Sequence, residues 1–465
     1  MEDVPATTWK ASPATAGADE SRSYRRKPFA TANDHPDFLN IVIQQEGAGP
    51  PSTTTSTKEW LKSLMNGDHN GDAAAPENAP CRTRIQRVPK MLREVKANRK
   101  CYSPGVVSFG PFHSDKELQV TEKTKMKWAR HFISRSSTTN VDEFYARVEK
   151  TAKTTRHCYE HGSTDAFDDD AFARMMFLDG CFILQFVDCC AGETGDDMNM
   201  KSHDVAFVTR DLFLLENQIP FEVLKCLMIL RYGSFAEGMP ILQEFIKQRF
   251  QVGPVSHPVD PLHLLDLLRR NKTLVRPSRL RKPPCYRYRY RSAKKLESAG
   301  IHIRPRKTLH LTDVRFQSYS LSAKLELPPI AINSQTKTIL LNLAAYETCY
   351  NVEDPWVTSY ICFMDSLIDD VEDVMELSSN GVFHNLLGTN QQVADLFNDM
   401  ANSLIPDPNI YSHAKECIER HFEKKTQIWM REWVRANFTF LAFVGAISAI
   451  VLSCLQTYFT IFPRK

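Results

Sequence analysis

The run MMFLDGCFILQFV, Met175 to Val187, is apolar except at Asp179, Gly180 and Gln185. Counted from Phe172 it exceeds the usual length of a strand, so it predicts a buried core helix. Upstream, Glu122 to Ile133 places Met126, Ala129 and Ile133 at helical spacing. Downstream, Asp211 to Leu230 carries Leu212, Leu215, Val223, Leu224 and Leu227 in the same pattern, interrupted at Pro220. Proline has no amide hydrogen and clashes with the preceding turn, so a kink or break belongs at Ile219–Pro220. Asn217 and Gln218 stand beside that break, and their amides can bond the backbone groups it frees. Leu262 to Leu268 is a further helical piece. The predicted fold class is therefore mostly α, a helical body with a few short strands over residues 81–437.

Residues 276–307 change character, with arginines alternating with tyrosines at 286–291. The stretch predicts a basic loop or edge strand joining two helical parts. Its cations and rings also suit anionic headgroups, a protein surface or single-stranded nucleic acid. Leu325 to Ile332 alternates and contains Pro328 and Pro329, which predicts a short edge strand. Helical patterns return from Thr336.

The chain has 465 residues, 42% hydrophobic and 24% charged. These proportions exclude a fully disordered, collagenous or multi-span membrane protein. Basic and acidic residues number 58 and 55, so no global field calls for nucleic acid, and no nucleic-acid partner is expected. Twelve cysteines without Cys-x-x-Cys spacing are too sparse for a disulfide scaffold and predict reduced, mostly buried thiols. Residues 1–80 are rich in Ala, Thr, Ser, Pro, Gly and Asp and predict a disordered N-terminal tail without a cleavable signal peptide. Within that tail, Trp60, Leu61, Leu64 and Met65 predict a short helix near 59–65.

The other end differs. FTFLAFVGAISAIVLSCLQTYFTIF, Phe438 to Phe462, contains no charged residue. About 20 apolar residues span a bilayer core as a helix, so 438–462 predicts a single transmembrane helix, followed by the short tail 463–465. Trp429, Trp433 and Tyr458 sit where interfacial aromatics belong. Arg420, Lys424, Lys425, Arg431 and Arg435 precede the span, and only Arg464 and Lys465 follow it. Positive charge stays on the cytosolic side, so the body is expected in the cytosol of a tail-anchored, single-pass protein of the plasma membrane or endomembranes. Asn271-Lys272-Thr273 and Asn437-Phe438-Thr439 are glycosylation acceptors. Asn271, in a polar stretch, is expected to report topology by remaining unmodified.

Two spacings hint at chemistry. Asp369-Asp370-Val371-Glu372-Asp373 fits DDxxD, and on a helix Asp369 and Asp373 would share a face. Such a pair can hold magnesium against a diphosphate. The second metal-binding helix it needs is missing, since Asn398 to Ser403 lacks the required acid, so the acidic run reads more simply as a solvated helix face opposite Phe363, Leu367, Val371, Val374 and Leu377. His157 and His161 stand at i and i+4, but Cys158 occupies the place of a metalloprotease glutamate. Asp266, three and four residues before Arg269 and Arg270, predicts a surface ion pair. No P-loop, GxGxxG or GxSxG occurs. The residues alone assign no catalytic group, no cofactor and no metal.

Several segments form a distinctive set: Ile85 to Pro89, Tyr102-Ser103-Pro104, Val107 to His113, Glu122 with Lys125, and Met175 to Leu184 with Asp179 and Gly180. Asp211 to Pro220 follows, ending in Glu216, Asn217, Gln218, Ile219 and Pro220, and then His263 to Leu268 with Asp266. Val357 to Tyr360, Phe363 to Asp365 and Val393 to Asn398 complete it. Together these segments resemble a known plant family, domain of unknown function 247, the UPF0481-type proteins. The resemblance implies a C-terminal membrane helix and no assigned biochemistry. Some grass members are implicated in self-incompatibility, which implies recognition at a membrane. The expected role is a non-catalytic interaction, recognition or signalling protein with an unknown protein partner. The alternative is a magnesium-dependent helical enzyme acting on diphosphates through Asp369 and Asp373.

Overall fold

The computed structural model describes residues 85–137, 140–191, 200–253, 260–273, 291–319, 322–349 and 354–461. The predicted tail, its 59–65 helix and residues 276–290 of the basic stretch lie outside these. Among the described residues, eight α-helices make up the first half of the body: α1 Lys90–Arg93, α2 Glu122–Ser134, α3 Val141–Thr155, α4 Asp169–Ala191, α5 Ser202–Asp211, α6 Phe221–Tyr232, α7 Phe235–Phe250 and α8 Leu264–Lys272. The MMFLDGCFILQFV run is the centre of α4 and is buried from Met176 to Asp188. α2, α3, α6 and α7 pack around it. That enclosure explains why its apolar residues show no one-sided pattern.

Aromatic rings fill the contacts. Trp128 of α2 lies 4.7 Å from Phe182, and Phe186 meets Phe245 of α7 edge-on at 6.0 Å. On α2 the buried face is Trp128, Ala129, Phe132 and Ile133, whereas Met126 is exposed. The predicted period holds, but the face is rotated away from Met126. The break at Pro220 is longer than predicted. α5 ends at Asp211, residues 212–220 run without helix, and Pro220 caps α6.

The second half comprises α9 Ala293–Ser298, α10 Thr336–Glu347, α11 Trp356–Ser366, α12 Val371–Ser379, α13 Asn390–Ala401, α14 Ser412–Ala436 and α15 Phe438–Ile461. Its strands are β1 Ile301–Pro305, β2 Arg315–Ser318, β3 Ala323–Leu327, β4 Ile330–Ile332 and β5 Phe383–Asn385. The sheet order is β1-β3-β2, with β1 parallel and β2 antiparallel to β3, and β4 pairs in parallel with β5. The predicted edge strand at Leu325 to Ile332 is therefore two strands, and β3 is central. Pro328 and Pro329 separate them because neither can donate to a ladder. The basic stretch is likewise not one loop: α9 and β1 occupy 293–305.

The acidic run is also rearranged. α12 begins at Val371, Asp370 is its N-cap, and Asp373 completes a capping box. Asp373 is buried and accepts from the amides of Asp369 and Lys294 at 2.8 and 2.9 Å. Asp369 lies outside the helix and pairs with Lys295. Asp369 and Asp373 do not share a helix face, because the helix starts between them. His157 and His161 do not either, since the 3-10 turn Arg156–Cys158 ends before His161.

Of the described cysteines, Cys158, Cys181, Cys349 and Cys362 are buried, five are partly buried, and Cys454 is exposed. α15 carries exposed Phe440, Phe443, Ile450 and Leu452, each 63–66% accessible. Among the described residues, no helix is long and apolar enough to cross a membrane.

Candidate functional site

Three of the segments quoted above, around Lys125, Asp179 and Asp211 to Asn217, converge on one irregular strip, Gly105 to Gly110. The strip is largely buried yet belongs to no helix or sheet. Its amides therefore need side-chain acceptors, since an unpaired buried N–H is costly. Asp211, at the end of α5, supplies the first. Its Oδ2 accepts from Gly105, Val106 and Val107 at 3.0, 2.7 and 3.1 Å, while Arg210 donates to Oδ1. Asn217 supplies the second. Its Oδ1 accepts from Phe109 at 2.7 Å, and its Nδ2 donates to the carbonyls of Val107 and Asp211. Asp179 of α4 supplies the third, accepting from Gly110 at 2.8 Å.

Asp179 is also paired with Lys125 of α2 at 2.5 Å, and Lys125 donates to the Ser108 carbonyl. Burial pushes the Asp179 carboxyl up, against the pull of Lys125 and the Gly110 amide. Gly110 has φ 66°, and a Cβ there would lie 2.7 Å from the Gln218 carbonyl, so only glycine fits. Gly180 serves helix approach instead. A Cβ there would meet Leu227 of α6 at 2.4 Å and Ile219 at 3.7 Å.

Glu216 faces the other way, toward the N-terminal segment. It accepts from the Val88 amide at 2.8 Å, pairs with Arg93 of α1 and lies 3.2 Å from His113 Nε2. Burial pushes its carboxyl up, but His113, Arg93 and the Val88 amide together hold it below the usual range. Gln218 turns toward α8. Its Oε1 accepts from Leu265 at 3.0 Å, and its Nε2 donates to the carbonyls of Leu212 and Leu214. The amides do bond freed backbone groups, as predicted, but they also tie the break to 105–110 and α8.

His263 caps α8, with Nδ1 accepting from Asp266. Burial pushes the His263 imidazole down to about 4. Its folded value lies below its unfolded one, so neutral His263 supports the fold at neutral pH. That support is lost as pH falls from about 6.5 to about 4, on the order of 3 kcal/mol at the low end. His263→Asn keeps a capping side chain. We expect it to flatten the acid limb of the stability profile in this window, measured by thermal unfolding from pH 7 to pH 4.

Asp266 departs from the surface ion pair expected of it. It does pair with Arg270 at 2.8 Å, but it is buried and also accepts from Leu262. Arg269 goes instead to Glu347 of α10, a buried carboxylate that also takes the amides of Val357 and Thr358. Sequence reasoning missed Glu347, and it missed Asn342, whose Oδ1 accepts from Leu215 at 2.9 Å. A lone amide inside the apolar run ILLNLAAY was the available signal.

Asn271 requires a further correction. It is only 1% exposed, so it cannot carry a glycan in the folded body and reports nothing about topology.

Chemically, the site is a clamp. The oxygens of Asp211, Asn217, Glu216 and Gln218 are spent on backbone donors and cations. The hub approaches the surface where Lys125 and Asp179 line a cavity of about 680 Å³ together with Arg174 and Met175.

Comparison with known proteins agrees with these motifs. The UPF0481 protein At3g47200 of Arabidopsis thaliana is 25% identical over 423 residues, covering 80% of this chain and 85% of that protein. A second UPF0481 protein of that plant, At3g02645, is 22% identical over 485 residues, covering 81% and 90%. No solved structure matches. Residues 85–455, which include every strip and clamp residue, match the profile of the plant protein family of unknown function DUF247, and the chain belongs to that family.

Proposed function

We propose that the protein is anchored in the plasma membrane or an endomembrane by α15. Its helical body would face the cytosol as a non-catalytic interaction or signalling protein. The observation that carries this reading is the exposure of α15. Phe443 and Leu452 are nine positions apart, hence on opposite sides of the helix at 100° per residue, and both are 63% exposed. Nothing lies within 4 Å of a Cβ placed on Gly445. A helix apolar on all sides suits a buried core or a bilayer, and the body does not cover this one. In the sequence, Phe438 to Phe462 runs 25 residues without a charge, the length a bilayer core calls for. The basic excess before the helix supports a cytosolic body. The alternative, diphosphate chemistry through Asp369 and Asp373, is disfavoured because Asp373 is committed to backbone amides.

The test is fractionation from plant cells. The full chain is expected in the membrane pellet after alkaline extraction, and a chain ending at Asn437 in the supernatant. An acceptor sequence added after Lys465 should be glycosylated, while added protease should digest the body. A full chain recovered in the supernatant would sink the anchor. Glycosylation of an acceptor placed in an exposed loop of the body would reverse the topology.

A further inference from the structure

Away from the hub, a cavity of about 130 Å³ lies between the end of α7, the end of α8 and the start of α10. By volume it has room for about ten water-sized groups. Its lining is mixed: Phe250, Leu309, Leu311, Ile339 and Leu340 form apolar walls, beside polar groups from Gln248, Gln251, Asn333 and Thr336. Lys272, the last residue of α8, lines it too.

Among the described residues, the Lys272 ammonium makes one hydrogen bond, to the Phe250 carbonyl at 2.8 Å. An ammonium has three donors, so two are unspent. No carboxylate is among the described lining residues. Arg249 is the other charged side chain there, and it is exposed. His310, between Leu309 and Leu311, is occupied with the Asn271 carbonyl. The polar neighbours are largely committed as well: Gln335 donates to the Ala206 carbonyl, and Asn333 accepts from the Gln335 amide.

We propose that this cavity binds a small organic carboxylate of about ten non-hydrogen atoms, its anionic end on Lys272 and its apolar body against Phe250 and Leu340. A single inward cation beside an apolar wall suits a monoanion with an apolar body. A phosphate dianion would call for several convergent donors. Lys272 is partly buried, and that desolvation pushes its amine down toward about 8, with no charge opposing it. A bound anion supplies the missing partner and restores the ammonium.

The full chain should be titrated calorimetrically at pH 7 with phenylacetate, benzoate and hexanoate, and with phenylacetamide and inorganic phosphate as controls. At least one carboxylate is expected to bind saturably, with phenylacetamide and the Lys272→Met variant each weaker by about tenfold or more. Binding should take up protons near pH 8 and weaken above pH 9. Because Lys272→Met can perturb folding, a second measurement uses the native chain. The bound carboxylate should protect Lys272 from acetylation, read by mass spectrometry, and phenylacetamide should not. Three results would overturn the assignment: equal binding of acid and amide, phosphate displacing the carboxylates, or no saturable carboxylate binding below about 10 mM. Unprotected Lys272 would do the same.

Discussion

Asp211→Ala is expected to cost the body about 3–6 kcal/mol, the largest effect of any single substitution in the hub. The carboxylate is fully buried and accepts from three consecutive amides, at positions 105–107. Each buried donor left without an acceptor costs about 1–3 kcal/mol. Arg210, partly solvated, recovers water and limits the further loss. Asp211→Asn keeps one acceptor oxygen and should cost about half as much. Denaturation of the full chain, followed by intrinsic fluorescence, checks the ranking. Equal stability of the three proteins would mean that the strip does not depend on Asp211.

The second expectation concerns the pair across the strip. Asp179→Ala leaves the Lys125 ammonium, among the described residues, with the Ser108 carbonyl and the Phe109 ring, and strips the Gly110 amide of its acceptor. Breaking one side of a buried ion pair costs about 3–5 kcal/mol. Removing both charges with Asp179→Ala and Lys125→Met should cost less than the sum of the single changes, because no orphaned charge remains. Melting temperatures of the four proteins in this cycle give the coupling. Strict additivity would show that the two groups, though 2.5 Å apart, do not support each other.

The helical class was legible because α4 is enclosed on all sides, so its run of apolar residues exceeds any strand. The face of α2 was less so, since Met126 matches the period but a long flexible side chain tolerates exposure. The partner of β3 was hidden inside the basic stretch, where Ile301 and Ile303 alternate with His302 and Arg304. That alternation was masked by arginine content. The DDxxD spacing admitted a meaning that neither a solvated helix face nor a metal motif captured: an acid at the N-cap with another three residues on is a capping pattern.

The motif residues could be named from the sequence, but their work could not. Asp211 and Asn217 act on amides 105 and 108 positions away, and periodicity carries no information at that distance. Asn217 and Gln218 were placed correctly beside a break, but they reach well beyond it.

The claim at the centre of this account is that these side chains exist to satisfy a buried, irregular strip. Hydrogen exchange of the Val106, Val107, Phe109 and Gly110 amides tests it most directly. These groups lie outside regular secondary structure and would exchange quickly if they were ordinary loop amides. With Asp211, Asn217 and Asp179 as acceptors, they should exchange only as slowly as the core amides of α4, through global unfolding. Exchange at loop-like rates in the native chain would contradict the account and free the motif for a role in recognition.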